Sequence, residues 1–302
     1  MLDVLTKAGC FAAIVALGML LRKMGVFKNS DFSVLSNITL KITLPAAVIS
    51  NYANRELDPA LLSLALLGLL SGMSYICVGY FLNLHRDKEQ RAFEMLNLPG
   101  YNIGCFGLPF IQSFLGPAGV VAACLFDTGN GFIGLGGAYG IASMVKDGGR
   151  FSFKRILRTL LKSVPFVFYL IMPALCLAHV QIPEAITSFA EIIADANAFI
   201  AMLMLGVGFN LTANRAQIGR IFRVLSVRYA VSVMLAAAFY FLLPFSLEVR
   251  KTLMLLVFTP IASAVPAFTN EMNSDVGLSS AINSISIICS VVFMVMLMIL
   301  VP

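Results

Sequence analysis

Tryptophan is missing from the 302 residues, histidine occurs twice, and charged residues make up only 12%. Soluble domains carry about 25% charge, and so few charges could not cover the surface of a soluble fold of this length. His85 and His179 stand far apart, so no metal site and no histidine base is apparent. HExxH and Ser–Lys patterns are absent as well, which argues against an enzyme and against a cofactor. The six cysteines (Cys10, Cys77, Cys105, Cys124, Cys176, Cys289) show no CxxC spacing and fall in apolar stretches. They read as small packed hydrophobes, not as disulfides or metal ligands. No nucleotide-binding motif is present either. Gly134, Gly136, Gly137 and Gly140 lie inside an apolar run with no strand before them, which suits close helix packing through Gly136-xxx-Gly140. Any energy for work must therefore come from gradients of ions or solutes.

Apolar residues are plentiful, at 59%. A helix needs about 20 of them to cross the hydrocarbon core of a bilayer. Ten stretches qualify: 4–21, 32–50, 60–82, 92–115, 119–145, 163–180, 186–210, 224–245, 252–270 and 277–301. The expectation is an all-α polytopic membrane protein. Lys7 precedes an apolar run with no small-residue cleavage site, so the first stretch reads as a retained span and not a signal peptide.

The net charge of +6 is explained by where the basic residues lie, and needs no nucleic acid. Fifteen of the 21 Lys and Arg fall in loops after odd-numbered spans, Arg150, Lys154, Arg158 and Arg215 among them. The opposite side holds Lys7, Arg55, Arg250 and Lys251. This bias places the basic loops in the cytoplasm and both termini outside, in the cytoplasmic membrane. The densest basic stretch, 146–162, should touch anionic lipid.

Ten spans around a central basic connector divide into 1–145 and 163–302, and five spans in each half make the halves inverted. The fourth span carries Asn97-Leu-Pro99-Gly100 and Gly107-Leu-Pro109; the ninth carries Pro260 and Pro266. Pro109 and Pro266 are 157 residues apart, close to the 154 that separate positions 32 and 186, where spans two and seven begin. Proline removes a backbone donor and clashes with the preceding turn, so both spans should break. Broken backbone at membrane depth is tolerated only inside protein or beside a cavity. Matching breaks in inverted halves point to a transporter binding site. Helix N-termini restarting there favour an anion.

Gly107-Leu-Pro-Phe-Ile111, with Phe114-Leu-Gly116, resembles the fourth-span motif of the auxin efflux carrier family. Ser263-Ala-Val-Pro-Ala-Phe268, followed by Glu271 and Asn273, is similar to the ninth-span motif. Leu40-Lys-Ile-Thr-Leu-Pro-Ala46 resembles the second span, and Leu205-Gly-Val-Gly208 the end of the seventh. The short connector makes the likeness one to prokaryotic-type members. The resemblance implies ten spans in an inverted repeat, with the fourth and ninth crossing, and secondary transport of organic anions. It also implies a moving bundle (spans three to five and eight to ten) and a scaffold (one, two, six, seven) that forms a homodimer.

Expected substrate contacts are Asn97, Asn102, Pro109 and Asn130 on one side, and Ser263, Pro266 and Asn270 on the other. Ionisable groups within spans are costly and invite a role. Asp127, one turn from Asn130, is the first candidate for a coupling proton. Asp195 and Lys41 follow, Lys41 either attracting anions or pairing with an acid such as Asp195. Glu191 shares a helix face with Asp195 and reads as a boundary residue. Arg228, one turn into the eighth span, is expected to reach back to the cytoplasmic interface. The expected activity is alternating-access transport of small carboxylates, with efflux as its direction. The alternatives are a sodium-coupled symporter of the bile acid type and a passive channel. The first would need more polar sodium ligands than Pro260-Ile261-Ala262 offers.

Overall fold

The structure, a computed structural model, describes residues 2–28, 30–148, 151–211 and 217–301, and these form helices and their connections with no strand. Arg150 and Arg215, two of the counted basic residues, lie outside the described residues. The first helix is α1 (Leu2–Lys23). The second apolar stretch folds as α2 (Asp31–Ile38), a wide turn over Thr39–Thr43, and α3 (Leu44–Tyr52). Pro45 explains the wide turn: it offers no N–H to the carbonyl four residues back, so the bonding slips register before it. Asp58 caps a short turn (Pro59–Leu62) leading into α4 (Ser63–Phe81).

Asp87 caps α5 (Lys88–Asn97), after which the chain leaves helical geometry until a second wide turn, Ile103–Gly107. Pro109 follows that turn as Pro45 follows the first. The helix α6 (Leu108–Phe132) kinks at Gly116, φ +68°, just before Pro117. A third wide turn, Ile133–Gly137, leads to α7 (Ala138–Asp147). Then come α8 (Phe153–Lys162), α9 (Val164–Leu177), α10 (Glu184–Asp195) and α11 (Asn197–Gly208). The chain closes with α12 (Ile218–Leu242), α13 (Leu247–Leu256), α14 (Val265–Glu271) and α15 (Val276–Leu300).

Among the described residues, seven helical stretches are long and apolar enough to cross a bilayer: Leu5–Lys23, Asp31–Tyr52, Pro59–Phe81, Ile103–Asp147, Glu184–Gly208, Ile218–Leu242 and Val276–Leu300. The pair α8 and α9, bent by 79°, makes an eighth if taken as one span. The protein is therefore an integral membrane protein. Ten spans were expected, and the shortfall falls where the prolines are. α5 and α13 have 10 residues each and α14 has seven; none alone reaches the ~20 needed. Conversely, Ile103–Asp147 is 45 residues long, about 68 Å of helix at 1.5 Å per residue. That is too long for one crossing, and the kink at Gly116 divides it.

The helices pack in two groups. α1 lies along α11, α3 against α10 and α9, and α2 against α11. In the other group α4 packs on α6 and α5, α5 on α7, α13 on α6 and α12, and α14 on α15. The α4–α6 contact depends on Gly129, where a Cβ would stand 1.8 Å from the Ala65 carbonyl oxygen. Gly136-xxx-Gly140, expected to make a close helix crossing, does something else. Gly136 takes φ +136° inside the wide turn, and Gly140 makes room for the Phe151 ring.

Candidate functional site

The two non-helical stretches, Leu98–Asn102 and the residues between Leu256 and Val265, meet inside the protein. The Asn102 N–H donates to the Pro260 carbonyl at 2.8 Å, and its side-chain amide donates to the Ser263 hydroxyl at 2.7 Å. Buried backbone groups need partners, and here side chains supply them. Asn130 pairs with Tyr101 in both directions, accepting from its N–H at 3.0 Å and donating to its carbonyl at 2.9 Å. Asn283 donates to the carbonyls of Ile261 and Ala262, and the Ser286 hydroxyl accepts from the Ile261 N–H.

Arg228 completes this scaffold and corrects the sequence expectation. It is fully buried and does not reach for the interface. Its guanidinium donates to the carbonyls of Leu98, Gly100 and Thr259, thereby joining both stretches. The Tyr75 and Tyr101 rings flank it, 5.4 and 5.5 Å from the guanidinium carbon. No carboxylate lies within 4 Å of it among the described residues. Carbonyls released by the helix breaks draw the charge inward more strongly than distant water does. That was not legible from its place one turn into a span.

A cavity of about 330 Å³ opens beside this junction. Asn102, Asp127, Asn130 and Ser263 line it, so four expected site residues come together. Asp127 accepts from the Asn130 amide at 2.7 Å and is half-buried, with no cation within 4 Å among the described residues. Most of the remaining wall is apolar: Leu40, Leu44, Ile103, Leu135, Phe166 and Met204. Tyr169 and Ser36 add hydroxyls, of which Tyr169 carried no signal in the sequence. The cavity also reaches Phe32, Ser163 and Pro165, at the starts of α2 and α9.

Other expected site residues stand outside it. Asn97 is buried against α14 and α15, donating to Thr269 and accepting from Ser279. Pro109 sits in the first turn of α6, its carbonyl taken by Ser113. Pro266 lines an adjoining pocket of about 190 Å³ with Asn210, Ser280 and Asn283, and that pocket shares Phe32 and Ser263 with the cavity. Asn270 is exposed at the end of α14. Pro99 and Pro260 lie within the non-helical stretches themselves. Lys41, in the wide turn before α3, and Asp195 and Glu191, on α10, are exposed on the chain's surface. Lys41 makes no ion pair with Asp195 within 4 Å; instead the neighbouring Thr43 donates to Asn197 across the same contact.

Taken together, an all-helical membrane protein with an internal cavity at a junction of interrupted helices has the build of a membrane transporter. Residues 11–145 match the family described as Membrane transport protein, the auxin efflux carrier family, which bears out the resemblance over that stretch. The ninth-span motif around Pro266 lies beyond the matched residues. No curated protein matches the chain.

Proposed function

We propose that this protein is a secondary transporter that moves small organic anions by alternating access, with efflux as its direction. The junction of the two interrupted stretches at a cavity holding Asn102, Asp127, Asn130 and Ser263 carries this reading. In it, the chain makes ten spans in two inverted halves, with α5 through the first part of α6 as the fourth span and α13 with α14 as the ninth. Both termini face outward in the cytoplasmic membrane, and the scaffold group of α1, α2, α3, α9, α10 and α11 forms a homodimer.

Anion preference has two sources at this junction. Arg228 places a buried charge behind the wall, with no carboxylate within 4 Å among the described residues. The helical segment that starts at Ile103 begins beside Asn102 on the cavity's edge, where unpaired N–H groups favour negative charge. Asn102 and Ser263 orient a carboxylate, Pro109, Pro266 and Asn97 shape or brace the breaks, and Asp127 handles a coupling proton. Lys41 and Asp195 remain secondary candidates for coupling.

In the proposed orientation the cavity faces the cytoplasm, since Phe32 and Ser163 stand next to basic loops. A second hollow of about 950 Å³, lined by Tyr52, Arg55, Asp58 and Phe245, lies on the other side. Leu44 borders the first and Tyr52 the second, leaving ~12 Å of α3 between them. That layer is the barrier that has to open, and Tyr52 donates across it to the Val121 carbonyl.

Counterflow in proteoliposomes, preceded by a thermal-shift screen against carboxylates, amino acids and bile salts, tests the reading. Saturable exchange of a carboxylate supports it. Stabilisation by bile salts only in sodium would move the protein to the sodium-coupled class, and stabilisation by cations alone would discard the anion reading.

A further inference from the structure

The helix α8 divides its surface in an unusual way. At 100° per residue, Ile156, Phe153, Leu157, Leu160 and Leu161 fill one continuous arc, and Lys154, Arg155, Arg158 and Lys162 fill the arc beside it. Only part of the apolar arc meets protein: Ile156 and Leu160 are buried against Phe132, Leu135, Phe151 and Phe166. Phe153, Leu157 and Leu161 are 58%, 42% and 55% exposed. Arg155 is committed to Glu271 on α14, 3.0 Å away. Lys154, Arg158 and Lys162 are exposed and have no carboxylate within 4 Å among the described residues.

A ten-residue helix is ~15 Å long and cannot span, and α8 turns away from α9 by 79°. With α9 crossing the bilayer, α8 runs along its surface. Its exposed apolar stripe then meets acyl chains while the adjoining basic stripe sits at the headgroups. We infer that α8 is an in-plane helix that binds anionic phospholipid, with the headgroup phosphate held by Lys154, Arg158 and Lys162 and the acyl chains lying along Phe153, Leu157 and Leu161. The inference needs α9 to cross the bilayer, not that the chain transports an anion. Its buried side touches Leu135 and Phe166, which also line the central cavity, so bound lipid holds one wall of that cavity in place.

The test is native mass spectrometry of the full-length, delipidated protein titrated with phosphatidylglycerol or phosphatidylcholine of matched acyl chains. The wild type should prefer phosphatidylglycerol by about tenfold or more, since each basic residue near an anionic surface contributes about fivefold. Lys154→Gln/Arg158→Gln/Lys162→Gln should bring phosphatidylglycerol down to the level of phosphatidylcholine. The control Arg86→Gln/Lys88→Gln, at another basic loop, should keep the preference. An unchanged preference in the triple variant, or an equal loss in the control, overturns the site. Displacement of phosphatidylglycerol by glycerophosphate alone overturns it too, since that marks a site for soluble phosphate.

Discussion

Asn102 and Ser263, 161 residues apart in the chain, share a 2.7 Å hydrogen bond where the two interrupted stretches meet. The bond lies on the cavity wall, where in the proposed scheme a substrate carboxylate would compete for it or extend it. Asn102 also holds Pro260 through its backbone N–H, a tie that does not depend on the side chain. Asn102→Ala should therefore fold, and should weaken carboxylate binding by ~1–3 kcal/mol as a buried hydrogen bond is lost. Calorimetric titration of the ligand found in the thermal-shift screen checks this; unchanged affinity would remove Asn102 from the binding site.

Asp127 faces the same cavity but belongs to a different function in the proposed scheme. Its contact with the Asn130 amide can be kept by an asparagine oxygen, so Asp127→Asn should preserve the pairing of Asn130 with Tyr101. Substrate affinity should change little, while the pH dependence of transport disappears. Parallel uptake curves over a pH series for both proteins settle the point. A variant that keeps the wild-type pH profile would move the proton site elsewhere, with Asp195 next in line.

The membrane class was legible in the sequence because hydropathy acts locally, and Pro99 and Pro260 do stand in non-helical backbone. Asn102, Asn130 and Ser263, picked out as polar groups beside the expected breaks, lie together on the cavity wall. Arg228 was misread because its partners, the carbonyls of Leu98, Gly100 and Thr259, are up to 130 residues away. Only the fold shows that the breaks leave acceptors within its reach. Asn97 and Asn270 were grouped with the site by proximity in sequence, yet Asn97 braces α14 and α15 and Asn270 is exposed near the end of α14, outside the cavity's lining. Spacing alone does not reveal which face of a short helix turns inward. Lys41 and Asp195 show the converse limit: helical periodicity placed them within spans but not on the chain's outer surface.

The α4–α6 crossing depends on having no side chain at position 129. A Cβ there would collide with the Ala65 carbonyl oxygen at 1.8 Å, and with the Leu69 nitrogen at 2.7 Å. Backbone cannot give way as a side-chain tip can, so Gly129→Leu should cost at least the ~1–3 kcal/mol typical of overpacking. A lower midpoint in thermal unfolding is expected, with loss of the cavity that Asp127 and Asn130 line on the same helix. Wild-type stability would show that α4 and α6 separate more readily than this packing allows.

Orientation can be tested on residues whose surroundings are described. Lys154 on α8 and Arg55 after α3 are both exposed and fall on opposite sides in the proposed topology. In a background without the native cysteines, Lys154→Cys should react with an impermeant maleimide only in inside-out vesicles. Arg55→Cys should react only from the outer face of intact cells. Labelling of both from one side would refute the ten-span arrangement.

Arg228 offers the sharpest test of how the junction is held. Removing its side chain leaves the carbonyls of Leu98, Gly100 and Thr259 buried without the donors they have now. Unsatisfied buried acceptors cost ~1–3 kcal/mol each before relaxation, so Arg228→Met should destabilise the protein by ~3–5 kcal/mol even though methionine fills much of the space. Arg228→Lys retains the charge but replaces a planar fork of donors with a single ammonium, which cannot serve three carbonyls in the same geometry. It should fall between the two in thermal unfolding. Because Lys keeps the charge behind the cavity wall, it should also retain the preference for anions that Met loses. Equal ligand selectivity in Met and Lys variants that still fold would show that Arg228 braces the junction without setting the charge preference of the cavity.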